Sequence, residues 1–367
     1  MTGTPPTALD LESGFRFRAE LQVTLPGADR LLDGLAEHAA DEVPQPVAPG
    51  TVLRFPYYGG LARLAYEGDR LLAVASADDL GALATLRHFV AHAVRSFDGS
   101  AAIGWTGDGC DRRDLPQLRE MRVVGVSDVT PRMRRVRLAG ADLERFATGG
   151  LHVRLLFPPK GRPPVWPQAD GTGIPLWPSG ADRLTARTYT IRRFAIEAGT
   201  VDIDIALHEG SSPGSDFARE ARPGDLVGMI GPGGGGAVSA ERLLLAGDET
   251  ALPAIARMLE VLSADQRGLA LIEVHDDAEI QPLVHPRGLD VVWLSRGGRP
   301  AGTTSLLVDT VTRLDWPAKP GCFVWAAAEF SAFKRLRTHC RKVWSLNRTN
   351  HMVAAYWRRG TSEDTAD

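Results

Sequence analysis

The C-terminal half of the chain is organised around the apolar run Leu243-Leu244-Leu245-Ala246 and the segment after it, Gly247-Asp248-Glu249-Thr250-Ala251-Leu252-Pro253-Ala254. An uninterrupted apolar run of this kind indicates a strand buried on both faces. After the turn, apolar residues recur at the spacing of one buried helix face: Leu252, Ile255, Ala256, Leu259 and Leu262. The segment predicts a strand, a turn and a helix N-terminus, which is where α/β domains bind anionic nucleotides. We expect the hydroxyl of Thr250, in the turn, to cap the helix.

Further strands repeat this pattern along the rest of the chain. Leu269–Val274, Val291–Leu294 and Phe323–Ala327 are apolar runs separated by helical spacings. Strands that alternate with helices are typical of a parallel sheet covered on both faces. We therefore predict an α/β nucleotide-binding domain over residues 238–361.

An earlier motif, Arg187-Thr188-Tyr189-Thr190, combines a permanent cation, an aromatic ring and hydroxyl groups within a short span. These groups suit a flavin, because the cation can pair with phosphate, the ring can pack on the flavin rings, and a hydroxyl can bond near the redox nitrogen. The surrounding residues show many short strands with Gly and Pro turns. This favours a closed antiparallel β-barrel over residues 117–237.

Two segments of the predicted barrel carry further expectations. Val201–His208 alternates strictly, so that one face is buried and the other presents Asp202, Asp204 and His208. We expect Asp204 and His208 to take part in cofactor binding. Pro158–Pro178 is rich in Pro, Gly and Trp and predicts a long surface excursion between two strands.

The N-terminal part, residues 13–100, mixes strand-like runs with two helical patterns and predicts a small α+β domain. One helix face is formed by residues three and four apart: Leu80, Leu83, Arg87, Val90, Val94 and Phe97. Asp78 or Asp79 precedes this face in the position of an N-cap. Residues 99–115, rich in Gly, Asp and Arg, indicate a linker.

The net charge, the length of the apolar runs and the cysteine and histidine content exclude several classes of function. The 367 residues carry a formal charge of −3, which excludes a dominant role in binding nucleic acid. No apolar run is long enough to cross a bilayer and the first residues lack a signal pattern, so we expect a cytoplasmic monomer without a membrane partner. The three cysteines are far apart and too few for a four-cysteine cluster. His88 and His92 lack further ligands at suitable spacing, so we expect no metal site.

In this order along the chain, the motifs resemble the siderophore-interacting protein family, whose members are flavin-dependent ferric-siderophore reductases. Further segments extend the resemblance from about Arg119 to Gly360: His208–Ala218, Arg222–Leu226, Gly231-Pro232, Trp325–Glu329 and Tyr356–Gly360. The N-terminal part is similar to a small uncharacterised domain sometimes fused ahead of this family. The resemblance implies a ferredoxin-reductase arrangement, in which a flavin-binding barrel precedes an α/β nucleotide-binding domain.

The resemblance also implies which residues form the site. Arg187 would pair with a flavin phosphate, Tyr189 would pack beside the ring system, and Thr190 and Thr250 would tune the redox nitrogen as the catalytic side chains. The cofactor-binding residues would be Arg187, Thr188, Tyr189, Thr190, Asp204, His208, Pro213, Gly214, Ser215, Thr250, Ala251, Glu329, Tyr356, Trp357 and Arg358. The chain departs from the family pattern at four positions: Ser212 stands for Gly, Gly214 for Ala, and Ala328 and Ala355 each for Gly.

Between Phe330 and Gly360 the chain has no Asp or Glu, and basic residues are frequent: Lys334, Arg335, Arg337, Arg341, Lys342, Arg348, Arg358 and Arg359. An apolar seam predicts a helix with its cations outward: Phe330, Phe333, Leu336, Cys340 and Val343. A solvated basic face is one explanation of this charge run, and a site for an anion is the other. We expect Lys334, Arg337, Arg358 and Arg359 to bind an anionic substrate.

These observations predict an FAD-dependent reductase of ferric siderophores that takes electrons from NADPH or NADH. Ferredoxin is an alternative donor, and the sequence identifies neither the donor nor the siderophore. A general flavin reductase, or an electron-transfer flavoprotein serving a protein partner, would share the same cofactor motifs. A non-enzymatic siderophore-binding module is the third alternative, and it would lack a working flavin site.

Overall fold

The structure is a computed structural model that describes residues 9, 14–39, 46–210, 212–236, 238, 240–316 and 321–361. Residue 13, where the first predicted domain begins, lies outside these ranges. The chain forms two compact units, of which the first contains Met1–Arg119 and Pro159–Leu184 and the second contains Glu120–Pro158 and Thr185–Asp367. The three-domain division predicted from the sequence stays a prediction.

The first unit is built on an antiparallel sheet. Its elements are β1 (Phe17–Thr24), α1 (Ala28–Ala39), β2 (Leu53–Tyr57), β3 (Gly60–Glu67), β4 (Arg70–Ala77), α2 (Leu80–Phe97) and β5 (Trp105–Gly107). The strand order is β2-β3-β4-β1-β5. Asp79 caps α2, because its carboxylate accepts the N–H groups of Gly81 and Ala82 at 2.8 and 2.9 Å. The predicted face of α2 is buried at Leu83 and Val90, whereas Phe97 is 36% exposed.

The excursion predicted for Pro158–Pro178 runs between two strands of the second unit, His152–Phe157 and Thr185–Ala195, and nearly all of its described residues are exposed or half-buried. Residues 159–184 belong to the first unit. Two short strands, β9 (Gln168–Ala169) and β10 (Pro175–Leu176), pair with each other, and the Ala169 N–H donates to the Arg113 carbonyl at 2.7 Å. Ile174 packs against the apolar core of the first unit. The contact of Ile174 with this core was not predicted, because its partners are distant in sequence and local composition does not encode such a contact.

The second unit begins with the predicted barrel. Its elements are β6 (Leu118–Thr130), β7 (Met133–Ala139), α3 (Glu144–Ala147), β8 (His152–Phe157), β11 (Thr185–Ala195), β12 (Thr200–Ala206), α4 (Pro213–Glu220) and β13 (Leu226–Gly233). The strands close in the order β11-β12-β7-β6-β13-β8. Alternate residues such as Val136, Leu155 and Ile203 fill the interior. The closed antiparallel barrel is therefore confirmed.

The rest of the second unit is an α/β domain. Its elements are β14 (Arg242–Gly247), α5 (Leu252–Val261), β15 (Arg267–Val274), β16 (Gly288–Ser295), α6 (Leu306–Thr312), β17 (Cys322–Glu329), α7 (Phe330–Lys342) and β18 (His351–Trp357). The strands are parallel, in the order β16-β15-β14-β17-β18. Leu243 and Leu245 face the layer that contains α5, and Leu244 and Ala246 face the layer that contains α6 and α7. The predicted parallel α/β domain is confirmed.

Helix α7 corrects one detail of the predicted apolar seam. Leu336 and Cys340 are buried, but Val343 is 65% exposed. The chain leaves the helix after Lys342, and Trp344 and Leu346 take over the burial. The seam prediction failed at Val343 because helical spacing no longer applies there.

Within the second unit, α5 packs directly on the barrel strand that carries the Arg187–Thr190 motif. Arg257 donates to the carbonyls of Leu151 and Ile191, both at 3.2 Å. Arg192, which is 4% exposed, forms a bidentate ion pair with Glu260 at 2.6 and 2.8 Å. These contacts fix β11 relative to α5.

Candidate functional site

The Arg187–Thr190 motif lies in the first half of β11, paired antiparallel with β8. Arg187 and Tyr189 are half-buried, Thr188 is exposed and Thr190 is buried. Because successive residues of a strand point to opposite faces, Arg187 shares a face with Tyr189, and Thr188 shares the other with Thr190. The Arg187 guanidinium donates to the Ala186 carbonyl at 2.8 Å, which holds it beside its own strand.

Tyr189 lies against the first turn of α4. A Cβ added at Gly214 would stand 1.6 Å from the Tyr189 hydroxyl oxygen. The Tyr189 ring also meets Phe157, with ring centroids 6.3 Å apart, and Phe157 meets Phe217 at 4.8 Å. The departure from the family pattern at Gly214 therefore makes room for the tyrosine, and it brings the predicted residues Tyr189, Pro213 and Gly214 together.

Ser215 and His208 organise the loop between β12 and α4. The Ser215 hydroxyl donates to the Ala206 carbonyl at 3.2 Å and accepts the His208 N–H at 3.1 Å. Arg219 donates to the His208 carbonyl. The side chain of Ser212, at the N-cap of α4, makes no capping hydrogen bond to any described residue. Ser215 therefore holds the loop, and the backbone at the start of α4 is the part of it that can meet a phosphate.

Asp204 is placed apart from this cluster. Its carboxylate forms a bidentate ion pair with Arg135 at 2.7 and 2.8 Å. Asp202 forms the same kind of pair with Arg137 at 2.7 and 3.0 Å. Both aspartates are 4% exposed, so the polar face predicted for β12 is covered by its ion pairs. The predicted role of Asp204 in cofactor binding stays a prediction.

Asp248 connects three strand ends at the carboxyl edge of the parallel sheet. Its Oδ1 accepts the Thr250 N–H at 3.0 Å and the Thr250 hydroxyl at 2.5 Å. Its Oδ2 accepts the Trp357 indole N–H at 2.8 Å and the Glu329 N–H at 3.2 Å. Burial, and after it the charge of Glu249, raises the pKa of Asp248. A side chain directly after the first strand therefore fixes three of the predicted site residues.

The turn before α5 corrects the role expected for Thr250. The N-cap of α5 is Ala251, which makes no side-chain cap to any described residue, and the Thr250 hydroxyl donates to Asp248 instead. The prediction that Thr250 caps the helix was wrong because no N–H group there is left for its hydroxyl to accept: those of Ala251 and Leu252 donate to the Asp248 carbonyl, and Pro253 has none. Thr250 and Ala251 nevertheless lie at the predicted edge.

Glu329 ends β17 and caps α7. Its Oε2 accepts the Ser331 N–H and hydroxyl, both at 2.5 Å, and its Oε1 accepts the Arg359 N–H at 3.2 Å. Burial alone would raise the pKa of Glu329, but these hydrogen bonds together hold that pKa below its ordinary value. Both oxygens of the carboxylate therefore serve the structure at the point where β17 meets α7.

The end of β18 brings two aromatic residues against the barrel. The ring of Trp357 lies 5.9 Å from that of His208, and the Tyr356 hydroxyl bonds His152 Nε2 at 2.7 Å. Burial, with Arg257 as the second cause, lowers the pKa of His152 to about 4. Since His152 is then neutral at physiological pH, its hydrogen bond with Tyr356 joins two uncharged side chains. His152 is also the register partner of Thr190, which links the two predicted clusters.

A buried ion-pair group lies beside Asp248. Arg296, 2% exposed, donates to both oxygens of Glu249 and to Glu273 at 3.4 Å. Glu273 also accepts the Leu307 N–H at 2.9 Å, and burial raises the pKa of Glu273. This group beside Asp248 thus contains two buried glutamates and one buried arginine.

The predicted basic residues gather on the outer side of α7 and after β18. The cations of Arg358 and Lys334 lie over the Phe330 ring at 4.8 and 5.5 Å. Arg337 lies over Phe333 at 5.6 Å, and the two phenylalanine rings are 5.9 Å apart. Arg359 is exposed beside them. We call Lys334, Arg337, Arg358 and Arg359 the cationic face.

Sequence reasoning missed Asp248 and His152. Asp248 could have been found, because it follows a buried strand directly at the edge where cofactor-contacting groups collect. His152 carries no such signal, since its importance comes from Tyr356, more than two hundred residues later in the chain.

The arrangement on the barrel fits a flavin. Arg187, the ring of Tyr189 and the start of α4 lie on neighbouring elements, and Gly214 lets that ring reach the helix. Among the described residues, no group of three or more His, Cys, Asp or Glu side chains is arranged to hold a metal ion. Within the same ranges, every helix is too short or too polar to span a membrane.

Comparison with known proteins identifies the two halves of the second unit. The family model described as "Siderophore-interacting FAD-binding domain" matches residues 122–236, and the one described as "Siderophore-interacting protein" matches residues 240–360. A siderophore utilization protein from T. fusca is 36% identical, with a TM-score of 0.58, over 68% of this chain and 97% of that one. The siderophore-interacting protein SipS from Aeromonas hydrophila is 34% identical, with a TM-score of 0.58, over 67% of this chain and 94% of that one.

The chain belongs to the siderophore-interacting protein family. The resemblance seen in the sequence motifs is therefore confirmed. Another relative in sequence is the ferric vibriobactin reductase ViuB of Vibrio cholerae, which is 28% identical over 242 residues, 64% of this chain and 88% of that protein. The matched FAD-binding range coincides with the barrel and includes the whole Arg187–Thr190 motif. The barrel is therefore the siderophore-interacting FAD-binding domain of this chain, and the parallel α/β domain after it is the part matched as siderophore-interacting protein.

Proposed function

We propose that this member of the family is an FAD-dependent reductase that passes electrons from NAD(P)H to siderophore-bound Fe(III) and releases Fe(II). One observation carries the proposal: the Arg187–Thr190 motif adjoins the start of α4, and the same loop reaches Trp357 through His208. A flavin held there would lie between the barrel and the carboxyl edge of the parallel sheet. ViuB, a relative, is named as a reductase of a ferric siderophore.

The chain's own residues supply binding and orientation. Arg187 and the backbone at the start of α4 suit the flavin phosphates, and Tyr189 and Trp357 supply aromatic surfaces. Bound FAD can take up electrons as a pair and release them one at a time, which a hydride donor and a one-electron acceptor both require. Thr190, opposite His152, is the hydroxyl we assign to the redox nitrogen. Thr250 acts by holding Asp248.

The overall reaction balances without a covalent intermediate on the protein. The C4–H bond of one NAD(P)H gives up two electrons, two Fe(III) ions each accept one, and NAD(P)⁺ and one proton are released. Hard oxygen ligands hold Fe(III) better than Fe(II), so reduction loosens the chelate while leaving the chelator intact. The cationic face supports this step, since stacking on Phe330 and Phe333 holds its cations in place for an anionic chelate.

The choice of acceptor tests the proposal against a general flavin reductase. FAD-loaded protein is supplied with NADPH under argon, and turnover of a ferric siderophore is compared with turnover of free FMN. We expect kcat/KM for the ferric siderophore to exceed that for FMN by at least about tenfold, which corresponds to about 1.4 kcal/mol of preferential recognition. Equal values would favour the general flavin reductase.

A further inference from the structure

The proposed electron donor, NAD(P)H, needs a binding site of its own on this protein. In an open α/β sheet, the nucleotide phosphates bind at the carboxyl edge, next to the N-terminus of the helix that follows the first strand. In this chain that helix is α5. Such a site depends on backbone N–H groups that have no partner inside the protein.

The N–H groups at the start of α5 are taken up by Asp248. The Thr250 N–H donates to Asp248 Oδ1 at 3.0 Å, and the N–H groups of Ala251 and Leu252 both donate to the Asp248 carbonyl at 3.0 Å. The next residue, Pro253, has no N–H. The carboxylate of Asp248 thus takes one of these N–H groups and its carbonyl takes the other two, so none of the three is left for a phosphate.

The charges around the start of α5 also disfavour a bound phosphate. Asp248, Glu249, Glu273 and Glu329 are each at most 9% exposed, and among the buried residues described at this edge Arg296 supplies the one guanidinium that pairs with any of them. Arg296 is already shared between Glu249 and Glu273. Even with Asp248 protonated, three buried carboxylates outnumber the one buried cation, since the residues of the cationic face are all exposed. A dinucleotide pyrophosphate would thus meet repulsion at this edge.

Helix α4 shows the contrast within the same unit. The N-cap side chain of α4 makes no capping bond to a described residue, whereas the start of α5 is closed by Asp248. The flavin thus has an open helix start available, and the donor phosphates do not. The two helix starts at which this fold could bind a phosphate therefore differ in whether their N–H groups are available.

We infer that the carboxyl edge recognises its donor by the dihydronicotinamide ring and not by the phosphates. The inference rests on the proposed function, and it assigns the donor class as a dihydronicotinamide whose adenylate contributes little. The uncharged dihydronicotinamide riboside should then reduce the bound flavin about as well as NADH and NADPH. The same C4–H bond supplies the two electrons in all three donors.

Salt dependence gives the sharpest kinetic test, with the riboside as the matched control. For wild-type FAD-loaded protein we expect kcat/KM for the three donors to agree within about tenfold. Raising ionic strength should increase kcat/KM for NADPH, because repulsion is screened, and leave the riboside unchanged. A preference for NADPH above about tenfold, or a decrease of its kcat/KM with salt, would overturn the inference, since cations would then bind its phosphates.

A binding experiment tests whether the protein binds the donor's pyrophosphate, even if no donor is turned over. Calorimetric titration of the full-length holoprotein with ADP-ribose, which carries the pyrophosphate but cannot be oxidised, should give no saturable heat up to about 1 mM. A Kd below that concentration would place the pyrophosphate on the protein and refute the inference. The proposed function is tested separately, because chemically reduced protein can deliver electrons to a ferric siderophore whichever way the donor binds.

Discussion

The Tyr189 hydroxyl occupies the space that a side chain at Gly214 would need. Glycine at this position therefore decides how closely the tyrosine can approach the start of α4. Sequence alone showed that Gly214 departs from the family pattern, but the consequence depends on a contact between two barrel elements. The role of His152 could not be predicted from the sequence for the same reason, since its partners lie on two other elements, β11 and β18.

Replacing this glycine should destabilise the fold. We expect Gly214→Ala to lower the free energy of unfolding by about 1–3 kcal/mol, because the new methyl group overlaps the Tyr189 hydroxyl. In a Tyr189→Phe background the cost should be smaller, since the overlapping oxygen is gone. Urea unfolding of the four proteins measures this coupling. Equal costs in both backgrounds would show that Tyr189 does not occupy this space.

Arg187 should determine flavin retention. Loss of a charge-assisted phosphate contact is worth about 1.5–3 kcal/mol, so Arg187→Ala should raise the Kd for FAD roughly 10- to 100-fold. Arg193, exposed on the same strand, is the matched control, and Arg193→Ala should keep its flavin. Absorbance of the purified proteins and fluorescence titration of the apoproteins supply the measurement. An Arg187→Ala protein purified with full FAD would remove the phosphate assignment.

His152 should make stability depend on pH. Its folded pKa is about 4, against an ordinary value of 6.5, so the unfolded chain binds the proton more tightly. The stabilising contribution is present in full above pH 6.5 and is lost as the pH falls towards 4, by about 3 kcal/mol at most. Urea unfolding at pH 7 and pH 4.5 should show a smaller loss for His152→Gln than for wild type. Identical losses would contradict the burial of a neutral His152.

At the scale of elements, strand and helix types followed from periodicity. The barrel strands and the alternating α/β segments were predictable because each has one apolar face that must be buried. Details at element ends were less predictable, as Val343 and the turn before α5 show. In both places, contacts with residues outside the element determine the structure, and the spacing of apolar residues no longer predicts it.

The docking of α5 on β11 should depend on one ion pair. Glu260→Ala leaves the guanidinium of Arg192, which is 4% exposed, without its carboxylate, and should cost about 3 kcal/mol of unfolding free energy. The control is Arg335→Ala, which breaks an ion pair with side chains 55% and 39% exposed and should cost less than about 1 kcal/mol. Similar costs in chemical denaturation would show that the Arg192 pair does not fix the helix.

At the scale of the whole molecule, the second unit matched the expected arrangement of barrel and parallel sheet, and the matched family ranges end within it. The first unit incorporates residues 159–184, although the chain reaches them only after β8. Composition marked this segment as unusual but could not place it, since Ile174 packs on core residues more than fifty positions away.

The central claim is that electrons pass from the flavin of this protein to siderophore-bound iron. The direct measurement is a single turnover, in which FAD-loaded protein is reduced stoichiometrically with dithionite under argon and mixed with a ferric siderophore and an Fe(II) trap. We expect the flavin absorbance to return and two Fe(II) to be trapped per flavin. A flavin that stays reduced, with no Fe(II) released, would contradict the claim.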